Sequence, residues 1–205
     1  MMDGKQLMDK RRSVNFFDPK KELAQSILES IINLAVLAPS AFNLQPWRII
    51  AVKSPEGKQR LYLKANKQDK ILEAPATLII IGDRSGYSVE NSTWQELVAM
   101  YQDEEKVKGM QEFAKVLYGS SEERRIKFAE SNAGLLAMSI MYAAQYYSVD
   151  SHPMSGIDFA GIKTEFLLKE AEEVVMLIAL GYFDTAKTLF PRRKRLGYSE
   201  IVQEV

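Results

Sequence analysis

Hydrophobic positions along the chain switch between helical spacing and unbroken apolar runs, and the alternation predicts helices layered on strands. Leu23, Ile27, Leu28, Ile31, Ile32 and Ala35 recur at helical intervals, which predicts an amphipathic helix from Asp18-Pro19 to about Ala38. Asp18 supplies a capping carboxylate and Pro19 suits the first helical position. Trp47–Lys53 is rich in Ile and Val and stops at Ser54-Pro55-Glu56-Gly57, the pattern of a strand closed by a turn. A short helix over Lys58–Ala65 and a polar stretch from Asn66 to Lys70 follow. Ala76–Ile81 is almost wholly apolar between Pro75 and Gly82, as in a strand covered on both faces. A long helix is expected from Glu122 to about Tyr147, and its second half, Ala133–Ala144, is apolar on nearly every side. Such a helix is either the central core helix or one covered by a second subunit. Asp150–Asp158 reads as a small-residue turn leading into a capped helix over Phe159–Leu168, and Glu173–Phe183 as a final strand.

Two segments escape this scheme. Across residues 83–121, Gly86, Gly109 and Gly119 interrupt helical pieces bearing Tyr87, Trp94, Tyr101, Phe113 and Tyr118. Those rings suit a lid that shapes a pocket, but aromatics at helical spacing more often form plain core. Residues 184–205 carry little hydrophobic pattern, so this tail either frays or lies on something else.

Composition narrows the chemistry. The 205 residues are 46% hydrophobic and 26% charged, and Lys plus Arg equals Asp plus Glu at 27 each. That is one ordinary globular domain with no global field for nucleic acid or an anionic membrane. The charged N-terminal stretch is not a signal peptide, and the apolar run Ala133–Ala144 is too short to span a bilayer. There is no cysteine, which excludes disulfides, thiolate catalysis and cysteine-held metal, and is compatible with a cytoplasmic location. The one histidine, His152, has no thiol partner and no Gly-x-Ser-x-Gly elbow to serve, and it reads as a partner for local backbone. An enzyme with so few reactive side chains needs a bound cofactor.

Local clusters offer places to hold one. Ala38–Ile50 joins helix to strand through Pro39, Ser40, Asn43, Gln45 and Pro46, residues that fit neither period. The prolines stiffen the connection, and the hydroxyl and amides suit a heteroaromatic ring with alternating donors and acceptors, while a plain polar turn is the competing reading. Lys10-Arg11-Arg12-Ser13 and Arg192-Arg193-Lys194-Arg195 match phosphate oxygens or are solvated surface. The second cluster lacks the interleaved aromatics of a nucleic-acid binder. Pro153, Ser155 and Gly156 form a turn with little side chain to keep a ligand from the backbone.

Taken in order, Arg11-Arg12-Ser13, Pro39-Ser40-Ala41-x-Asn43-x-Gln45-Pro46-Trp47, Glu73-Ala74-Pro75, Pro153-Met154-Ser155-Gly156-Ile157-Asp158, Gly181-Tyr182 and the basic C-terminal run resemble the FMN-dependent nitroreductase family over almost the full length. The resemblance implies a single domain over 1–205 with an α+β sandwich fold. It implies a mixed central sheet flanked by helices, an intertwined homodimer, and a C-terminal arm over 184–205 that crosses to the partner. It further implies FMN as cofactor, NADH or NADPH as hydride donor to flavin N5, and a small-molecule electron acceptor such as a nitroaromatic or quinone. By position, Arg11, Arg12 and Ser13, completed by Arg193 and Arg195, meet the FMN. Pro39, Ser40 and Asn43 approach from the other subunit, and Pro153, Ser155 and Gly156 lie beside the ring.

Three positions depart from the family pattern. Asn15 stands where Lys or Arg is usual near the flavin pyrimidine edge, Lys67 stands for Asn, and Ser155 for Gly. A cation there favours the anionic reduced flavin, so unless Lys67 or Lys70 supplies it, a lower reduction potential is expected. The competing class is an FMN-binding protein with little or no reductase activity. A basic-tail nucleic-acid binder is a third, colourless alternative.

Overall fold

The computed structural model describes residues 3–205, so Met1 and Met2 of the expected 1–205 unit lie outside the described residues. In chain order the elements are α1 (Gly4–Lys10), α2 (Gln25–Ala35), β1 (Trp47–Val52), α3 (Pro55–Lys64), α4 (Lys70–Glu73), β2 (Ala76–Asp83), α5 (Thr93–Tyr101), α6 (Glu104–Gly119), α7 (Glu122–Tyr146), β3 (Asp150–Met154), α8 (Phe159–Glu165), β4 (Glu172–Gly181) and α9 (Tyr198–Ile201). The four strands form one sheet in the order β1-β2-β4-β3.

Strand β2 sits inside this sheet with both faces covered, as its apolar run predicts. Leu78 and Ile80 face a core built with Leu28, Ile31 and Ala35 of α2 and Leu136 and Ile140 of α7. Ile79 and Ile81 face the opposite core, with Leu61 of α3, Ile71 of α4 and Ile162 of α8. Helices therefore cover both faces of the sheet, an α+β sandwich in three layers. Arg48 of β1 and Glu172 of β4 reach past β2 to form a two-pronged pair at 2.7 and 2.8 Å. That hydrogen-bonded contact holds the Glu172 carboxyl below its ordinary pKa.

The sheet differs from the mixed one expected. All three strand pairings are antiparallel, and among the described residues the parallel component is a single bridge between Ser13 and Ser151. The segment beside β3 is held by that bridge and by Val14 N–H on the Ser151 carbonyl at 3.1 Å, before Asp18 is drawn away to the Tyr182 carbonyl at 2.8 Å. The same contact corrects the start of α2. Asp18 caps only a turn, accepting from Lys20 N–H at 3.0 Å, and the helix begins at Gln25.

Three other boundaries shift. Ser54-Pro55-Glu56-Gly57 is the first turn of α3, with the Ser54 hydroxyl accepting from Gly57 N–H at 3.0 Å. Asp150–Met154 is a strand rather than a turn, because an edge strand tolerates Pro153 where no ladder donor is needed. Helix α1 was not foreseen, since it buries nothing; Asp3 and Gln6 close it with a reciprocal capping box.

The long helix α7 runs over Glu122–Tyr146 as expected and is the central core helix on its inner side. It leaves Leu135 and Tyr146 exposed, beside the exposed Leu34 and Leu37 of the α2 end. Segment 83–121 resolves into α5 and α6, whose Trp94, Val107 and Ala114 make a third core with Leu44 and Phe128. Trp94 is core, with Tyr87 and Tyr118 packed against it beside the proline-framed connection, whereas Tyr101 and Phe113 are exposed. No helix of the described residues is long and apolar enough to cross a membrane.

Candidate functional site

The two ends of the chain meet at one basic cleft. Arg11, Arg12, Ser13 and Asn15 line one side and Phe190, Pro191, Arg192, Arg193 and Arg195 the other, around a cavity of about 620 Å³. Segment 11–15 is placed there by the capped helix α1 before it and by the β3 edge after it. The arm is laid against it by hydrogen bonds from Arg12 to the Phe190 carbonyl and from Arg192 to the Asp9 and Arg11 carbonyls, and by an edge-to-face contact of Phe16 with Phe190 at 5.7 Å. Burial lowers the Arg11 pKa from its ordinary value; Tyr142 opposes this, and the neighbouring Arg192, Arg195 and Arg12 lower it further. Among the described residues no carboxylate lines the cleft. Such a donor set is complementary to a polyanionic group of phosphate type.

A second group lies along β3. His152 donates from Nδ1 to the Val14 carbonyl at 2.9 Å, which ties segment 13–17 to the strand bearing Pro153. Beyond the strand, the Gly156 carbonyl accepts from the Asn66 and Gln68 side-chain amides at 2.8 and 3.1 Å, and Lys70 Nζ donates to Gln68 at 3.2 Å. Asn66 and Lys67 make this possible by turning through the left-handed region, at φ 52° and 54°. Ser155 and Gly156 are exposed, and a Cβ added at Gly156 would meet nothing within 4 Å. Burial lowers the Lys70 pKa, opposed by Glu73 and Asp69. Lys70 is a half-buried cation linked to this turn through Gln68, while Lys67 is exposed.

The proline-framed connection is rigid for reasons the sequence only partly displays. Phe42, Asn43 and Gln45 all take left-handed conformations, at φ 51°, 56° and 47°, which cost non-glycine residues roughly 1–2 kcal/mol each. They are held from several sides. The Ser40 hydroxyl accepts from Gln45 N–H at 2.9 Å, Asn132 of α7 accepts from Ala41 N–H at 2.9 Å, and Asn91 donates to the Leu44 carbonyl at 2.8 Å. Phe42 packs on Trp94 with centroids 5.6 Å apart. Gly86 closes the far side, since a Cβ there would stand 2.5 Å from Pro46.

The structure thus brings Arg11, Arg12, Ser13, Asn15, Arg193 and Arg195 together. It joins Pro153, Gly156, Lys67 and Lys70 to that region through the β3 edge, with Ser155 beside them. It keeps Pro39, Ser40 and Asn43 apart, for none of them lines the cleft. Sequence reasoning missed Phe190 of the cleft, and Asn91 and Asn132 of the clamp, and it named Arg192 only as part of the basic run. Asn132 was discoverable as the amide directly before the apolar run Ala133–Ala144 of α7, and at 6% exposure its side chain must find partners. Among the described residues no group of three or more His, Cys, Asp or Glu is placed to hold a metal ion.

Comparison with known proteins adds a family. The model for the "Nitroreductase family" matches residues 8–182. MhqN of Bacillus subtilis (strain 168), provisionally named an NAD(P)H nitroreductase, is 30% identical over 206 residues, covering 100% of this chain and 98% of that protein. A CLA biosynthesis enone reductase of Lactiplantibacillus plantarum is 29% identical, covering 85% of this chain and 83% of that protein. A crystal structure from Exiguobacterium sibiricum 255-15, solved in complex with FMN, superposes with a TM-score of 0.85 at 23% identity, covering 100% of this chain and 98% of that one.

The His152 contact makes a pH prediction. Burial first, then repulsion from Lys70, lowers its pKa from 6.5 to about 4, with the Val14 hydrogen bond opposing. Between those values the unfolded chain binds a proton that the folded one refuses, so stability falls as pH drops from 6.5 towards about 4. The full loss is at most about 3 kcal/mol. Urea unfolding of the flavin-free protein at pH 7 and pH 5 should show a wild-type loss exceeding that of His152→Asn by about 1–2 kcal/mol. Equal losses in the two proteins would overturn the assignment.

Proposed function

Because this chain belongs to the nitroreductase family, we propose that it is an FMN-dependent oxidoreductase that oxidises NAD(P)H and reduces a small conjugated acceptor. The observation that carries this reading is the arginine cleft at the junction of the chain ends. Its unbalanced cations fit a phosphate monoester, which carries close to two negative charges, and its volume leaves room for more than the phosphate. Arg11, Arg12, Arg193 and Arg195 would hold that phosphate, with Ser13 as an added donor. FMN would supply the two-electron chemistry that no side chain of this protein provides. The net reaction balances as NAD(P)H plus a proton and a nitroaromatic giving NAD(P)+, the nitroso compound and water, or a quinone giving its hydroquinone.

The chain's own residues bind, orient and tune. Pro153, Ser155 and Gly156 offer an unobstructed backbone edge, oriented by the two amides that hold the Gly156 carbonyl. Lys70, half-buried beside that turn, takes the electrostatic role that Asn15 cannot, so the charge has moved along the chain rather than vanished. Lys67 is its exposed neighbour. Pro39, Ser40 and Asn43 form a second, preorganised wall, but one protomer does not bring it to the cleft. Both walls serve one ligand if two copies combine, with the loop of one copy facing the arginines of the other. The exposed Leu34, Leu37, Leu135 and Tyr146, and the arm's exposed Leu196, Tyr198 and Ile201, supply apolar surface for such a homodimer. In that arrangement residues 190–195 stay on their own cleft and the end of the arm crosses over. The whole 1–205 chain then acts as one domain per subunit.

The reductase reading and the passive-binder alternative separate in one experiment. Mixing FMN-loaded protein with NADH or NADPH without oxygen should bleach the flavin within seconds. Bleaching by dithionite alone would leave only the binder. A redox titration tests the tuning residue: Lys70→Met should lower the flavin potential by about 20–40 mV, a loss of roughly 1–2 kcal/mol for two electrons. Asn15→Lys should raise it. An unmoved potential in both variants would remove Lys70 and the pyrimidine edge from the account.

A further inference from the structure

A smaller cavity of about 200 Å³ opens between α6, α7 and the clamped connection. Its walls include Ala41, Tyr118 and Phe128, with the Tyr118 and Phe128 rings in tilted contact at 4.5 Å between centroids and 32° between planes. Ala41 fixes its place relative to the proposed flavin wall, since it lies between Ser40 and Asn43 and is bound through its amide to Asn132 at 2.9 Å. The charged residues at this cavity are Arg124 and Lys127, both cations, in a chain whose acids and bases are equal in number. Neither forms an ion pair among the described residues. Glu122, the acid two residues before Arg124, is already taken by Arg84 and Arg125. Glu123 and Glu130 line an adjoining depression on α7 that shares Lys127 and Ser131 with this cavity, and neither acid is paired with Lys127.

We propose that this cavity selects conjugated acceptors bearing a carboxylate, with Arg124 and Lys127 as specificity-determining residues. The inference rests on the reductase reading and deepens it by naming the acceptor class. A cavity of this size is smaller than the usual pocket for a whole ligand, so it takes one end of the molecule. The tilted ring pair walls the apolar body, and the two cations, three residues apart on one helix face, receive the anionic end. The reducible group is left towards Ser40 and Asn43. A carboxylate suits two exposed cations and the Ser131 hydroxyl beside them, whereas the doubly charged phosphate has a fuller donor set in the arginine cleft.

The test uses full-length, FMN-loaded protein and two probes, 4-nitrobenzoate and its neutral methyl ester. Binding of each is measured by calorimetry, and NAD(P)H-dependent reduction of each as kcat/KM. The ratio of carboxylate to ester is compared between wild type and the double variant Arg124→Gln/Lys127→Gln, which cancels the intrinsic difference in reducibility. Both ratios should fall by about three- to tenfold, as expected for two partly exposed charge contacts. Lys127→Arg should keep them near wild type, and added salt should erode them in the wild type alone. Ratios that do not move between wild type and double variant overturn the proposal. A binding ratio that falls without turnover of either probe upholds the carboxylate site and instead defeats the reductase reading.

Discussion

Like charges do not gather in a folded protein unless something holds them there. Arg11, Arg12, Arg192, Arg193 and Arg195 surround one cleft with no acid among its lining residues, and desolvation and mutual repulsion both weigh on Arg11. Three backbone carbonyls, those of Asp9, Arg11 and Phe190, offset part of the repulsion and none of the charge. On the proposed reading an anion completes the cluster, and much of the chain's layout serves to present it. The capping box of α1 starts the basic segment, the bridge to Ser151 steers it along β3, and the arm returns to close the other side.

The opposite wall is built on a different principle. Three strained residues in one connection, Phe42, Asn43 and Gln45, persist because neighbours from α7, from the 86–94 segment and from Ser40 over-determine them. Strain held in this way is preorganisation. The segment 83–121 acquires a purpose through it: α5 and α6 are the packing that fixes a loop. In the proposed dimer, rigid polar groups on one wall and the cations on the other would divide the work of recognition between ring and phosphate.

Much of this was legible in the sequence where one physical signal dominated. The β2 run and the long α7 stood out because burial on every side leaves no room for charge. The proline-framed block stood out because its residues fitted no period. Reading failed where tertiary contacts overrode local preference. Asp18-Pro19 has the chemistry of a helix start, but the bond to Tyr182 at the sheet edge claims it. Pro153 suggested a turn, yet an edge strand accommodates it. Arg192 and Phe190 could not be placed in the cleft from sequence, since the chain ends are about 180 residues apart and little in their local pattern says they meet.

The claim on which the account turns is that one copy's arginine cleft and the other copy's loop form a single flavin site. Complementation between two disabled chains tests it directly. Chains carrying Arg12→Glu and chains carrying Asn43→Trp should each purify as dimers without flavin, while a mixed dimer, isolated through two different tags, should regain one site from its intact cleft and intact loop. One FMN per mixed dimer is the predicted result. A mixed dimer as colourless as its parents would mean that each site lies within a single chain, and would contradict the account.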